Sequence, residues 1–242
     1  MKPFRHCDIK LLQEERMDCL LDGRLSVIQS TRGYRFSVDP LLLSEFVTTR
    51  PGDVVVDLGT GCGIILLILL YTRNINRAFG LEIQEELAGQ AARNAAINGF
   101  KDRMHVIMGD LRQMPMKKGW ADVVVCNPPY RPRMSGRINP DLRRAIARHE
   151  MMASLEDILR ASAHLLGKKG RVALIYSASR LGDLLSTMKR HNLEPKRLQL
   201  IHPSSCSDAK LAMVEALFAG KPGLTVMPPI ISQGRFSIEG GP

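Results

Sequence analysis

No two cysteines in this chain are spaced to clasp a metal. Cys7, Cys19, Cys62, Cys126 and Cys206 lie apart without a C-x-x-C, and the six histidines form no H-x-x-x-H pair, so no metal site is expected. An odd cysteine count fits a reducing compartment. The opening residues Met1-Lys2-Pro3-Phe4-Arg5 lack the apolar stretch of a secretion signal. The longest apolar run, Ile64–Leu70, is far too short to cross a bilayer. Together these absences predict a cytoplasmic protein with no membrane partner. Repeats and low-complexity segments are also missing, and the glycine-rich stretch near Gly63 has no phosphate-binding lysine.

What remains is a globular composition: 242 residues, 45% hydrophobic and 24% charged, enough for one α/β domain with a small appendage. The formal charge of +10 favours a polyanionic partner or a membrane surface, and is by itself also compatible with a soluble enzyme. Residues 1–50 read as an N-terminal extension packing on a cofactor pocket. Within it a helix is expected through Ile9–Leu21, then a hairpin pairing Leu25–Ser30 with Tyr34–Ser37 across Thr31-Arg32-Gly33. Asp39 and Pro40 suit the cap and first position of a helix carrying Leu41, Leu42, Leu43 and Phe46.

From residue 51 to 242 strands and helices alternate. Val54–Leu58, Arg77–Leu81, His105–Met108, Asp122–Cys126 and Val172–Tyr176 read as strands, separated by helices at Ile64–Tyr71, Glu85–Ile97, Ser154–Leu166 and Ser179–His191. Arg197–Ile201 and Leu211–Leu217 read as later strands, with an irregular tail at 221–229. The predicted architecture is a doubly wound, mostly parallel seven-stranded α/β sheet.

Ligands of such sheets bind beyond the carboxyl ends of the strands, and four strand ends here carry chemistry. Asp57-Leu58-Gly59-Thr60-Gly61-Cys62-Gly63 follows the first strand, where glycines permit a tight turn and close backbone approach. The spacing G-x-G-x-G departs from the dinucleotide pattern, which wants its third glycine where Ile64 stands. Glu82 ends the next strand, placed to accept bonds from two ribose hydroxyls. Asp110 follows the third, placed to receive an adenine amino group. Asn127-Pro128-Pro129-Tyr130 follows the fourth. There the prolines forbid continuation of the ladder, and the Asn127 carbonyl with the neighbouring backbone carbonyl can accept both hydrogens of one NH₂ group. Tyr130 offers a face on which a planar substrate can stack.

This ordered set resembles the class I S-adenosylmethionine-dependent amino-methyltransferases. The segments Asp22–Leu25, Tyr34–Leu43, Ala147–Glu150 and His202-Pro203 are similar to the bacterial valine-tRNA adenine-N6 methyltransferase family. The resemblance implies S-adenosylmethionine as cofactor, held by Phe36, Asp39, Asp57, Gly59, Thr60, Gly61, Gly63, Glu82, Ile83, Asp110, Leu111 and Asn127. It implies methyl transfer to an anticodon-loop adenine of tRNA, with Asn127, Pro128, Pro129 and Tyr130 as the catalytic corner. Independently, residues 131–148 hold six arginines against Asp141, and Arg131, Arg133, Arg137, Arg143 and Arg144 are expected to grip RNA phosphates. Glutamine-amide N5 methylation of a protein, guanine-N2 methylation of rRNA and a non-catalytic RNA-binding module stay open on these residues, as does the oligomeric state.

Overall fold

A computed structural model describes residues 11–31, 38–128 and 153–232. It begins with an antiparallel hairpin, β1 (Glu15–Leu20) and β2 (Leu25–Ser30). This corrects two expectations. The stretch predicted as a helix through Leu21 is a strand from Glu15 onward, and the partner of Leu25–Ser30 lies before it in sequence. The turn explains the pairing: Leu21, Asp22 and Gly23 all adopt positive φ, which lets the chain reverse within four residues. The predicted partner, Tyr34–Ser37, lies outside the described residues.

Helix α1 (Asp39–Phe46) starts one residue earlier than expected, with Val38 at the cap, Asp39 inside the first turn and no side-chain capping bond. β3 (Val54–Leu58), α2 (Ile64–Thr72), β4 (Arg77–Glu82), α3 (Glu85–Ile97), β5 (Met104–Met108) and β6 (Ala121–Cys126) follow in the anticipated alternation. α4 (Leu155–Leu165) opens on a reciprocal cap between Ser154 and Asp157. β7 (Leu166–Ser177), α5 (Leu181–Arg190), β8 (Leu193–His202) and β9 (Leu211–Phe218) complete the seven long strands of the sheet. The tail is not wholly irregular: β10 (Thr225–Val226) and β11 (Ile230–Ile231) both pair with β8.

The sheet runs β10-β8-β9-β7-β6-β3-β4-β5, parallel except where β9 lies antiparallel between β7 and β8. Both faces are covered, which is why Val55, Val56, Val123, Val124 and Val125 are all fully buried in near-continuous apolar strands. α1, α2 and α3 pack on one face with β2; α4 and α5 pack on the other. The chain moves outward from β3 to β4 and β5, then returns to place β6 on the other side of β3. That reversal opens a crevice at the carboxyl ends of β3 and β6.

The hairpin is fixed to α3 by two asparagines one helical turn apart. Asn98 accepts from the Ser26 amide (2.9 Å) and donates to the Ser26 carbonyl (2.7 Å). Asn94 does the same with Ile28, at 2.7 and 2.9 Å. Side chains four apart on a helix rise about 6.0 Å, close to the ~6.7 Å between alternate residues of a strand. α3 therefore imitates a neighbouring strand along the edge of β2. Arg93 and Gln90 add contacts to Glu15, and the Arg93 bond holds the Glu15 carboxyl down to about 2.

Candidate active site

Four of the predicted groups lie along one rim of the sheet. β6, β3, β4 and β5 are consecutive parallel neighbours, so Asn127, the glycine loop, Glu82 and Asp110 emerge side by side. Three interstrand steps of about 4.8 Å span roughly 14 Å, a suitable length for an extended nucleoside-bearing ligand.

The loop after β3 is shaped by backbone sterics. Gly59, Gly61 and Gly63 all have positive φ, between 57° and 86°. A Cβ at Gly63 would lie 2.4 Å from Met104 and 3.2 Å from Ala91, so this glycine serves close packing of α2 on α3. At Gly59 and Gly61 an added Cβ would meet nothing within 4 Å, so there the chain faces open space. The amides of Gly59 and Thr60 both donate to the Leu81 carbonyl, at 2.8 and 3.1 Å. Gly80 leaves room for the Thr60 side chain, which would clash with any Cβ there at 2.6 Å.

Glu82 is buried, and its carboxylate accepts from the Gly61 amide (2.9 Å) and the Gln84 amide (2.9 Å). It thus braces the glycine loop while retaining lone pairs for a diol. Asp57 is also buried: one oxygen accepts from the Thr60 hydroxyl at 2.8 Å, and Oδ1 has no partner among the described residues. Burial pushes its pKa up to about 7, against the Thr60 bond and with a smaller push from the Glu82 charge. An orphaned buried acceptor beside an open glycine loop is the complement of a cationic or polar donor on a ligand. The S-adenosylmethionine ammonium has that chemistry, and Glu82 and Asp110 at the next two strand ends are acceptors of the kind a ribose diol and an adenine amine need; the residues present fit this cofactor.

Asp110 caps the short turn Leu111–Gln113, accepting from the Arg112 amide at 2.8 Å. The Arg112 guanidinium also binds it, with Nε at 2.8 Å and a terminal nitrogen at 2.6 Å. These bonds lower the Asp110 pKa, keeping the carboxylate ionised as an acceptor. Asn127 is half-buried and Pro128 buried at the end of β6, while the Cys126 thiol donates to the Leu58 carbonyl at 3.0 Å and ties the two strand ends together. Burial raises the thiol pKa of Cys62 to about 11 and pushes that of Cys126 well above its ordinary value, which leaves neither sulfur a nucleophile. Ile83 and Leu111 flank Glu82 and Asp110 in sequence, and Asp39 sits at the start of α1. Phe36, Pro129, Tyr130, Arg131, Arg133, Arg137, Arg143 and Arg144 lie outside the described residues. No group of three or more His, Cys, Asp or Glu able to hold a metal occurs among the described residues, and no helix among them is long and apolar enough to cross a membrane.

Sequence reasoning missed two contributors. Asn94, fully buried, donates to the Cys62 carbonyl at 2.9 Å as well as to β2, linking the hairpin to the glycine loop. No local pattern announces it. Arg112 could have been suspected from its place two residues after Asp110.

Comparison with known proteins agrees with this geometry. A family model described as a methyltransferase domain matches residues 49–214. A tRNA1(Val) (adenine(37)-N6)-methyltransferase of Parabacteroides distasonis is 29% identical over 208 residues, covering 85% of this chain and 86% of that protein. Another of the same name, from Porphyromonas gingivalis, is 32% identical over 183 residues, covering 72% and 71%. Among solved structures, a predicted O-methyltransferase of Agrobacterium tumefaciens superposes with a TM-score of 0.65 at 20% identity, covering 81% of this chain and 88% of that one. The chain belongs to the methyltransferase-domain family and, within it, to the group of the tRNA1(Val) (adenine(37)-N6)-methyltransferases.

Proposed function

We propose that this protein methylates the exocyclic N6 of an anticodon-loop adenine in tRNA, using S-adenosylmethionine. The observation that carries the reading is the side-by-side emergence of the glycine loop, Glu82, Asp110 and Asn127-Pro128 from four neighbouring parallel strands. In this reading Asp57 and the loop hold the methionine end, Glu82 the ribose hydroxyls and Asp110 the adenine amine of the cofactor. Thr60, Ile83 and Leu111 line it, and residues 1–50 close over it, with Asp39 near the mouth.

The cofactor supplies an electrophilic methyl group on a cationic sulfur. The chain must make a delocalised amine attack it. Asn127 Oδ1 and the Pro128 carbonyl would accept the two N6 hydrogens, favouring a pyramidal nitrogen with a usable lone pair. Held by Asp57, the glycine loop, Glu82 and Asp110, the cofactor would supply the methyl carbon and keep the released electron pair on its sulfur, and the acidic proton of the product amine would leave to solvent. No general base is needed before attack, so catalysis is positioning and dipole placement. Tyr130 stacks on the base, and Arg131, Arg133, Arg137, Arg143 and Arg144 hold flanking phosphates. An unpaired loop base costs little to extrude.

The test is Asn127→Ala. Cofactor affinity by calorimetry is expected unchanged, while kcat on tRNA falls roughly 10²–10³-fold, as for loss of one oriented polar group. Full turnover in the variant removes Asn127 from the mechanism. Labelled methyl appearing in protein glutamine rather than tRNA nucleosides overturns the substrate.

A further inference from the structure

The rim opposite the active site is lined with cations that the chemistry does not use. Lys117 and Lys118 precede β6, Lys168 and Lys169 lie early in β7, and Lys189 and Arg190 end α5 just before β8. β9 runs antiparallel, so Lys221, just past its end, arrives at the same rim. All seven side chains are exposed. Because β6, β7, β9 and β8 are consecutive in the sheet, these positions form a row about 14 Å long.

The row is continuous. The Gly119 amide donates to the His164 carbonyl at 2.9 Å, joining the first lysine pair to the end of α4. Lys196 Nζ donates to the Lys221 carbonyl at 3.1 Å at the other end. Between them lies a cleft of about 350 Å³ lined by Lys118, Arg160, His164, Arg190, His191 and Phe218, among others. Acids are present: Glu156 pairs with Arg190 and His191, Asp157 with Arg160, and Glu194 with Lys189. Lys117, Lys118, Lys168, Lys169 and Lys221 have no ion-pair partner among the described residues. Uncompensated like charges repel one another, and a polyanion along the row offsets that repulsion while releasing its own counterions.

We propose that this rim is a second RNA contact, gripping the phosphate backbone of a helical stem beyond the methylated loop. The proposal rests on the RNA-methylating reading of the active site. Its geometry sets the length of RNA required. Only β6, Ala121–Cys126, is extended between the turn at Lys118-Gly119 and Asn127, so the two rims stand roughly 20 Å apart. A five-pair A-form stem rises less per pair than the ~3.4 Å of B-DNA, so it spans under about 17 Å. A hairpin with a five-pair stem presents the loop but stops short of the rim, whereas a whole tRNA reaches it.

The experiment compares wild type with the quadruple variant K117A/K118A/K168A/K169A and its all-arginine counterpart. Binding of a tRNA transcript and of the five-pair hairpin is followed by fluorescence anisotropy across salt concentrations. The alanine variant is expected to bind the transcript about 10-fold or more weakly, with a log K against log salt slope shallower by about 2–4. Its affinity and kcat for the hairpin stay at wild-type values, which also shows that it is folded, and the arginine variant recovers transcript binding. Equal transcript affinity and slope for wild type and alanine variant overturn the proposal. So does unchanged RNA binding combined with lost sedimentation on phosphatidylserine vesicles, which would make the rim a lipid surface. If wild type methylates neither RNA, the proposed function falls, and the transcript-binding difference still decides the rim.

Discussion

Asp57 combines full burial with only one satisfied oxygen. Its pKa of about 7 in the fold, against an ordinary 3.8, means that the folded chain keeps a proton which the unfolded chain has released between those values. Stability from this group therefore falls as pH rises from about 4 to 7, then stays level. Three units correspond to on the order of 4 kcal/mol. Asp57→Asn removes the titrating proton, so the variant's urea-unfolding free energy is expected to gain on wild type steadily from pH 4.5 to 7.5. Parallel curves for the two proteins would show that Asp57 ionises freely. The same residue shows what a sequence exposes: its place before the glycine loop was legible, but its isolation depends on Thr60 folding back and Gly80 giving that threonine room.

The elements divide by whether their partners are local. α3 was legible to the residue, because its acidic first turn and Asn98-Gly99 stop lie within its own sequence. The four strand ends were legible because parallel sheets present their carboxyl ends together. β1 was not, since the mixed run Glu15-Arg16-Met17-Asp18-Cys19-Leu20 becomes a strand only by pairing with β2; Asp22-Gly23 was the available signal of the turn. Docking of that hairpin rests on α3, and Asn94 ties it to the glycine loop. Asn94→Ala leaves the Ile28 amide and the Ile28 and Cys62 carbonyls unpaired in the interior, a loss on the order of 3 kcal/mol. Denaturant unfolding should show that loss, and calorimetry should show weaker S-adenosylmethionine binding in the protein that remains folded. A stability loss with untouched cofactor affinity would confine Asn94 to holding the hairpin.

At the scale of the molecule, the proposed cofactor site draws on residues from 57 to 127, spread over four strands that exist together only in the folded sheet. A ligand of this site therefore binds the native state alone, and its binding energy adds directly to stability. At a hundredfold excess over its dissociation constant the gain is about 2.7 kcal/mol. In a chain of this size each kcal/mol moves the midpoint about 2–4 °C. S-adenosylmethionine or S-adenosylhomocysteine is thus expected to raise Tm by roughly 5–10 °C in a thermal scan. NADH at the same concentration is expected to leave it unchanged, because the dinucleotide pattern wants glycine where this chain has the buried Ile64. If Asn127 serves the substrate amine as proposed, rather than the cofactor, Asn127→Ala should keep the full cofactor shift, whereas Asn94→Ala should lose part of it through the glycine loop. A shift with NADH and none with the sulfonium compound would assign the four strand ends to a different ligand and, with it, a different reaction.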